Sequence, residues 1–278
     1  MNLKELSKPI LLDGATGSNL MKAGLPRGVC TEAWLLEHPD VIIGLQRAYV
    51  EAGTQILYAP TFTGSAPYLA QHGLEDRLEE INRRLVQLSR QAAGERAFVA
   101  GDMTTVGNPQ PYEQLLEVYT RQARALYAAG LDLFVIETMM GLEETMAALE
   151  ACKMTCDLPV MCTFSVTSDG MLYFGGSIYD AAPQLEGFGA DAVGINCSCG
   201  PDQMLTVVRS LADTLHVPVI AKPNAGMPVI DDHGNAVYSM PPEEFGEHMK
   251  ALYEAGATIL GGCCGTDPSY IAAIRKYI

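Results

Sequence analysis

Three absences in the sequence exclude whole classes of protein. The chain of 278 residues has no apolar run of about 20 residues, so no membrane-spanning helix is predicted. Only 18 Lys and Arg stand against 33 Asp and Glu, the formal net charge is −15, and no basic cluster occurs. This charge argues against nucleic acids and anionic membranes as partners. The N-terminal segment lacks the apolar block of a signal peptide, so a cytoplasmic protein is expected.

Several familiar catalytic motifs are missing as well. No G-x-G-x-x-G follows the first predicted strand, and the chain contains no G-x-S-x-G nucleophile elbow. None of the five histidines falls at the end of a predicted strand, so a histidine-activated nucleophile is not indicated. The eight cysteines are the unusual chemical feature. In a reducing compartment they are expected to be free thiols, and clustered ones to bind a metal or act in catalysis.

Eight short apolar runs alternate with longer amphipathic runs along the chain. The apolar runs are PILLDG, TQILYAPT, AFVAGDM, LDLFVIET, PVMCTFS, DAVGINC, VPVIAKPN and ATILGGC. Because they are continuously apolar rather than alternating, they are typical of parallel strands that are buried on both faces. A glycine precedes every second run, where the end of a helix favours a left-handed residue. These glycines are Gly53, Gly130, Gly189 and Gly256.

The repeating unit is therefore a double βα module that is used four times. Eight parallel strands close naturally into a (β/α)8 barrel, which places the chain in the α/β class. The length fits one barrel, so residues 1–278 are predicted to form a single TIM-type domain. A doubly wound open sheet is the alternative, and the missing glycine-rich fingerprint argues against it.

Polar residues and cysteines collect at the carboxyl ends of the predicted strands. In a parallel barrel these ends meet at one mouth, where the chemistry of such barrels takes place. The residues are Asp13, Thr61, Asp102, Glu137, Asn196, Cys197, Asn224, Cys263 and Cys264. The segments GINC and GGCCG thereby bring three thiols, from two distant parts of the chain, towards one point.

Three protein thiolates with one open position suit a catalytic Zn²⁺ ion. The glycines around Cys263 and Cys264 give the backbone the freedom to turn both sulfurs towards one ion. Other interpretations stay open, because free cysteines are often core residues and neighbouring cysteines can form a strained disulfide. Cys199 is a rival to Cys197 as a ligand, although it lies beyond the end of the strand. The C-x-x-C pairs of many zinc sites are absent.

Five segments taken together resemble the homocysteine S-methyltransferase family over essentially the whole chain. In order they are DGATGSNL, VIET, GINCSCGP, KPNAGMP and GGCCGTDP. The likeness is strongest to the homocysteine-binding domain of cobalamin-dependent methionine synthases. It implies a (β/α)8 barrel that binds zinc through Cys197, Cys263 and Cys264 and methylates homocysteine to methionine. Pro60 is a departure, since the family often has asparagine at that position.

The resemblance also implies the substrate contacts. Asp13 and Glu137 are expected to hold the amino group of homocysteine, and backbone N–H groups of a loop to bind its carboxylate. The loop consists of Gly14, Ala15, Thr16 and Gly17. Asn196 is expected to order the substrate site, and Asn224 to complete the zinc coordination when substrate is absent. Each carboxylate also has a purely structural interpretation, as a rim residue that accepts bonds from loop N–H groups.

Thiol chemistry explains the need for a metal. A thiol with a pKa of about 8.5 is mostly protonated at neutral pH, whereas the thiolate is the nucleophile. Zinc favours the thiolate form, and three thiolate ligands keep the metal electron-rich, so the substrate sulfur stays reactive towards an activated methyl group. The likeness to methionine synthases favours methylcobalamin as the donor. Because the cobalamin domain of a full methionine synthase is missing from these 278 residues, the donor is expected on a separate corrinoid protein.

Other functions remain alternatives to this one. The donor can be S-methylmethionine or a betaine-like methylated amine, and the acceptor can be a thiol other than homocysteine. A cationic amine needs a buried anionic partner, so Asp13 and Glu137 favour an amino acid acceptor. A non-catalytic zinc-binding module is a further alternative, against which the presence of all three cysteines and both carboxylates argues.

Overall fold

The computed structural model describes Leu3 and residues 5–107, 110–231 and 236–278. Within these ranges, strands and helices alternate along the chain. The parallel strands are β1 (Ile10–Leu11), β2 (Ile56–Tyr58), β3 (Phe98–Thr104), β4 (Leu133–Met139), β5 (Val160–Phe164), β6 (Ala192–Cys197), β7 (Val219–Pro223) and β10 (Ala257–Leu260). A short antiparallel hairpin of β8 (Val229–Ile230) and β9 (Ala236–Val237) follows β7.

The parallel strands form one sheet in the order β1-β10-β7-β6-β5-β4-β3-β2. β1 pairs with β10, the last strand of the chain, through Ile10 and Ile259. At the other edge a parallel bridge joins Leu12, just beyond β1, to Ile56 of β2. The two ends of the sheet therefore meet. The predicted (β/α)8 barrel is confirmed and the open-sheet alternative is wrong, whereas the division into one domain over 1–278 stays a prediction.

Helices surround the barrel. They are α1 (Gly17–Lys22), α2 (Thr31–Glu37), α3 (Pro39–Ala52), α4 (Ala66–Ala70), α5 (Leu78–Ala93), α6 (Tyr112–Ala128), α7 (Leu142–Thr155), α8 (Ile178–Gly187), α9 (Leu205–Thr214), α10 (Pro242–Glu254) and α11 (Pro268–Tyr277). The four glycines predicted at helix ends all have positive φ, as their role requires. In the part of the chain that the structure describes, no helix combines the length and apolarity needed to cross a bilayer.

Two apolar layers hold the barrel together, and β4 contributes to both. Leu133 and Val135 belong to the cluster inside the barrel, whereas Phe134 and Ile136 belong to the larger cluster that also contains core residues of the helices. This alternation explains why the strand has no polar face, since both of its sides are buried. Leu3, which is 2% exposed, packs against the inner cluster. Because both faces of the strand are apolar, the polar side chains of the site lie at the ends of the strands.

Gly194 on β6 lies at a very close contact between strands. A Cβ added there would lie 2.0 Å from the carbonyl oxygen of Ile220, its partner on β7. This oxygen belongs to the backbone of the sheet and cannot yield as a flexible side chain does. We expect Gly194→Ala to lower the free energy of unfolding by about 3 kcal/mol, at the upper end of typical overpacking effects. Urea unfolding followed by circular dichroism measures this change.

Gly44 provides the matched control. It lies on the exposed side of α3, and a Cβ added there would have no atom within 4 Å. Gly44→Ala is expected to raise the free energy of unfolding by about 0.5 to 1 kcal/mol, because alanine restricts the unfolded chain and favours helix. Equal effects of the two substitutions would contradict the packing described for β6 and β7.

Candidate active site

A cavity of about 370 Å³ opens at the carboxyl ends of the barrel strands. Most of the residues predicted for the site line it, namely Asp13, Gly14, Ala15, Thr16, Glu137, Cys197, Cys263 and Cys264. Tyr58, Asp102 and Lys222 also line the cavity. Asn196 and Asn224 do not belong to this lining and are buried at 0% and 3% exposure. The barrel therefore brings residues from many strands to a single mouth.

Three thiols meet at this mouth. The Sγ atoms of Cys197, Cys263 and Cys264 all lie within 4.8 Å of one another. Cys197 ends β6 with a φ of 56°, and Ser198 follows with a φ of 61°. Such left-handed conformations are uncommon outside glycine and frequently occur at functional sites. The Ser198 hydroxyl accepts a hydrogen bond from the Val166 N–H at 2.9 Å, which helps to hold the turn.

The Cys263–Cys264 segment is fixed against the end of β7. The Cys263 N–H donates to the Pro223 carbonyl at 2.6 Å, and the Ala225 N–H donates to the Cys264 carbonyl at 2.9 Å. Asn224 lies between these two contacts in the sequence. Its Oδ1 atom is buried and has no hydrogen-bond partner. A buried amide oxygen without a partner calls for an explanation, and a bound ion is one.

The donor set fits a zinc ion. The three cysteines are free thiols that no disulfide joins, and all are partly exposed, which speaks against simple core residues. Cys199 is outside the cluster. Hydrogen bonds to Cys263 and Cys264 raise the pKa of Cys197, whereas hydrogen bonds from Cys197 and Cys263 lower the pKa of Cys264. Three sulfur donors, one of them readily ionised, match the preferences of Zn²⁺.

Asp13 and Glu137 form an anionic pocket in the same cavity. Asp13 is 2% exposed, and its Oδ2 accepts a hydrogen bond from the Tyr58 N–H at 2.8 Å. The other oxygen of Asp13 is buried without a hydrogen-bond partner. Burial raises the pKa of Asp13 to about 7 and the pKa of Glu137 to about 7, although Lys222 opposes the shift in both. Both carboxyls therefore titrate near neutral pH.

Asp102 adds another carboxyl to the lining, which also contains Glu32. Burial raises the pKa of Asp102 well above its usual range, and nearby Glu137 raises it further. The Asp102 Oδ1 atom and the Tyr58 hydroxyl are both buried and lack hydrogen-bond partners. With the free oxygen of Asp13, three polar atoms in one lining lack partners. Such a set is expected where a ligand with hydrogen-bond donors completes the network.

Asn196 lies beside the pocket and positions part of it. Its Oδ1 accepts hydrogen bonds from the Thr138 N–H and the Thr163 hydroxyl, both at 2.8 Å. Its Nδ2 donates to Glu137 Oε2 at 3.2 Å and to the Thr138 hydroxyl at 2.7 Å. These contacts hold Thr138, whose φ is 60°, directly after Glu137. Both donors and both acceptor positions of the Asn196 amide are thus engaged within the protein.

Hydrogen bonds through Thr266 connect the loop 14–17 to the segment that contains Cys263 and Cys264. The Ala15 N–H donates to the Thr266 hydroxyl at 3.0 Å, and that hydroxyl donates to the Cys263 carbonyl at 2.8 Å. The Asn19 amide donates to the Ala15 carbonyl at 2.7 Å. Within the part of the chain that the structure describes, the N–H groups of Gly14, Thr16 and Gly17 make no hydrogen bond. Of the four predicted donors, Ala15 is therefore already engaged and the other three remain.

Lys222 is a site residue that the sequence analysis did not identify. Its Nζ atom lies 3.7 Å from Asp13 Oδ1, 3.8 Å from Glu137 Oε2 and 4.8 Å from the centre of the Tyr58 ring. Lys222 is 3% exposed. Burial lowers the pKa of Lys222, but Glu137 and Asp13 more than compensate, so the lysine stays charged. The available signal was a lysine inside an apolar strand, since buried lysines are almost always paired.

Fold and site together define a (β/α)8-barrel enzyme with three clustered thiols at its mouth. Sequence comparison makes this specific, because a profile of the homocysteine S-methyltransferase family matches residues 10–278. The chain belongs to the homocysteine S-methyltransferase family. The resemblance seen in the five sequence segments and the expected methyltransferase class are thereby confirmed.

Known proteins resemble the chain in sequence and in fold. Methionine synthase of Mycobacterium leprae is 29% identical over 301 residues, and that of Mycobacterium tuberculosis is 30% identical. Both matches cover 99% of this chain but only 25% of the relative, so the chain spans about a quarter of their length. The homocysteine methyltransferase MmuM from Escherichia coli, in its metallated form, superposes with a TM-score of 0.85 at 23% identity. That match covers 99% of this chain and 98% of MmuM, and shows a common fold.

Proposed function

We propose that this protein methylates the sulfur of homocysteine to form methionine, with Zn²⁺ held by Cys197, Cys263 and Cys264. The observation that carries the proposal is the placement of three clustered thiols in one cavity with two buried carboxylates. Bound there, zinc would favour the thiolate form of a substrate sulfur, which is the nucleophilic form. A metal that binds sulfur and a pocket that binds an amine match the two ends of an aminothiol.

Asp13 and Glu137 bind the ammonium group of the substrate. Both are buried, and an isolated buried carboxylate is unfavourable unless a cation or hydrogen-bond donors compensate for lost water. An ammonium group supplies both, with three N–H donors and a positive charge. The unpartnered Oδ1 of Asp13 is available for one of these donors. The two carboxylates thus attract a cationic group and repel an anionic one.

The remaining parts of the substrate have candidate contacts in the same lining. The free N–H groups of Gly14, Thr16 and Gly17 are donors for its carboxylate. Pro60 and Phe62 add apolar surface for its two methylene groups. Pro60 replaces the asparagine common in the family, so this wall has one polar side chain fewer. Asn196 keeps Glu137 in place through the hydrogen bond at 3.2 Å.

The proposed methyl donor is a methylated corrinoid on a separate protein. The support is the similarity to methionine synthases, of whose length this chain spans about a quarter. In the displacement, the sulfur forms its bond to the methyl carbon while the bond from carbon to the donor breaks. The thiol proton is released during the reaction. S-methylmethionine and betaine-like amines remain the alternative donors, and another thiol the alternative acceptor.

A donor panel tests the proposal. Zinc-loaded protein is incubated with homocysteine and, in separate reactions, methylcobalamin, S-methylmethionine, glycine betaine or methyltetrahydrofolate, and methionine is quantified by mass spectrometry. We expect methionine with methylcobalamin, free or bound to a corrinoid protein, and no methionine without enzyme. A protein that retains zinc but forms no methionine with any donor would be a zinc-binding module rather than an enzyme.

The affinity for the amino acid is expected to rise with pH through neutrality. Asp13 and Glu137 have pKa values of about 7, so each is mostly protonated at acidic pH and mostly ionised at alkaline pH. Because only the ionised carboxylate attracts an ammonium group, affinity is lost as the pH falls below about 7. Between pH 8 and pH 6 we expect a loss of about tenfold, following the ionised fraction of one carboxyl.

Methionine is the best ligand for this measurement, because it has the amine and carboxylate of homocysteine but no titrating thiol. Isothermal titration calorimetry at several pH values gives its affinity directly. An affinity that stays constant from pH 6 to pH 8 would contradict recognition of the amine by these two carboxylates.

A further inference from the structure

We infer that Lys222 is a positioning residue, an interior cation that keeps Asp13 and Glu137 ionised and ready for the ammonium group of the substrate. The inference rests on the proposed function, since it concerns the pocket assigned to the amine. Lys222 is positively charged, and so is the ammonium group that the pocket is proposed to bind. Such a residue needs a physical reason, and the geometry of the pocket provides one.

Lys222 attracts both carboxylates without occupying either. Its Nζ atom lies 3.7 Å from Asp13 Oδ1 and 3.8 Å from Glu137 Oε2, beyond the usual length of a hydrogen bond. The oxygen of Asp13 therefore stays without a hydrogen-bond partner although a cation is near. The Tyr58 ring, 4.8 Å from Nζ, stabilises the ammonium group by a cation–π interaction. Lys222 is thus close enough to stabilise the negative charge of both carboxylates but too far to form hydrogen bonds with them, so Asp13 Oδ1 stays available as an acceptor.

The charges around the pocket explain why a cation is needed. Four carboxyls, Asp13, Glu32, Asp102 and Glu137, line the cavity, and Lys222 is the one Lys or Arg in this lining. The titratable groups that face the pair are Tyr49 on α3, Tyr58 on β2, Asp102 on β3, Lys222 on β7 and Cys263 after β10. Lys222 is the cation among them. Without it, burial and mutual repulsion would favour the protonated carboxyls, which do not attract an amine.

The strand register places Lys222 and Asn196 side by side, and both side chains point to Glu137. Lys222 on β7 is directly opposite Asn196 on β6 in the parallel ladder. Both side chains approach the same atom, Oε2 of Glu137, at 3.8 Å and 3.2 Å. Asn196 fixes the position of the carboxylate and Lys222 maintains its charge. Both contacts fall on Oε2, which leaves Oε1 free of them.

The test compares Lys222→Met and Lys222→Arg with the wild-type protein. The ligands are methionine and 4-(methylthio)butanoate, which is methionine without its amino group, and calorimetry is performed from pH 6.5 to pH 8.5. For Lys222→Met we expect methionine affinity at pH 7.5 to fall by at least about tenfold, since one opposite charge moves a carboxyl pKa by roughly 1 to 3 pH units. The loss should shrink towards pH 8.5, and the affinity for 4-(methylthio)butanoate should change little.

Two controls separate charge from packing. Lys222→Arg keeps the cation and is expected to retain most of the affinity and the wild-type pH profile. Lys250→Met removes an exposed lysine, whose Nζ atom is 3.8 Å from Glu254, and should leave every measurement unchanged. The zinc content should equal that of wild type in all variants. At saturating homocysteine the turnover number should also be preserved, so that the effect lies in KM.

The outcomes distinguish this inference from the function on which it rests. If Lys222→Met weakens both ligands equally at every pH, Lys222 only fills space and the inference is overturned. If the wild-type protein itself does not prefer methionine to 4-(methylthio)butanoate, the pocket does not recognise an amine, and the proposed function fails first. A loss confined to methionine that recedes as the pH rises supports both.

Discussion

Cys264→Ala is expected to remove zinc from the purified protein and to lower methionine formation by more than about a hundredfold. The three sulfurs within 4.8 Å of one another are the protein's ligands in the proposal, and the substrate sulfur takes the open position. Two sulfurs cannot hold the ion against competing solvent as three do. Loss of a residue that only hydrogen-bonds to a metal ligand already lowers metal affinity or activity by roughly 10- to 100-fold, so loss of a ligand should exceed this.

Cys199→Ala is the matched control for this prediction. Cys199 is two residues from Cys197, is buried at 8% exposure, and is outside the thiol cluster. Its substitution is expected to leave one zinc per chain, measured by plasma mass spectrometry, and near-normal turnover. Equal loss of zinc from the Cys199 and Cys264 variants would contradict the assigned ligands. Retention of zinc and activity by Cys264→Ala would remove the basis of the proposed function.

The thiol cluster and the barrel were accessible from the sequence because both follow from strand periodicity. Strand β4, with Leu133 and Val135 inside and Phe134 and Ile136 outside, has no polar face and is predicted as a buried parallel strand. Eight such strands imply a barrel, and a barrel brings its carboxyl ends together. The meeting of two distant cysteine segments then follows from topology alone, without knowledge of any side-chain distance.

The left-handed backbone around the site was not accessible in this way. Thr138, Cys197 and Ser198 have φ values near +60°, yet none is a glycine, so no residue type marks them. Their conformations are imposed by contacts across strands, such as the hydrogen bond from the Thr138 N–H to Asn196 at 2.8 Å. Local propensity cannot reveal a conformation that only the tertiary structure stabilises.

The role of Lys222 was hidden for a related reason. A lysine in an apolar run is usually read as a strand end that reaches solvent, because buried lysines are rare. Its partner Asp13 lies just beyond β1 and its partner Glu137 lies on β4, so the ion pairs cross the barrel. Pairing across a barrel depends on side-chain length and rotamer, which sequence spacing does not encode. The resemblance to the family also gave no role to this position.

The double variant Asp13→Asn, Glu137→Gln is expected to lower kcat/KM for homocysteine by at least about thirtyfold, since truncating one partner of a buried charge pair costs 2 to 5 kcal/mol or more. The substitutions keep the size of both side chains but remove both carboxylates with which the buried Lys222 forms ion pairs. The pocket would then repel an ammonium group. Zinc content should stay at the wild-type level, because neither residue belongs to the thiol cluster.

The matched control adds Lys222→Met to the double variant, which removes the unpaired cation. This triple variant should regain thermal stability, because no uncompensated buried charge remains, but it should not regain affinity for homocysteine. With 4-mercaptobutanoate, which lacks the amine, all variants should react at rates similar to one another. If the double variant instead loses activity equally with both thiols, Asp13 and Glu137 support the barrel rim rather than bind the amine. Each substitution removes a charge with little change in side-chain size, and all variants share the same thiol site, so a selective loss of the amino substrate identifies the carboxylates as its binding site.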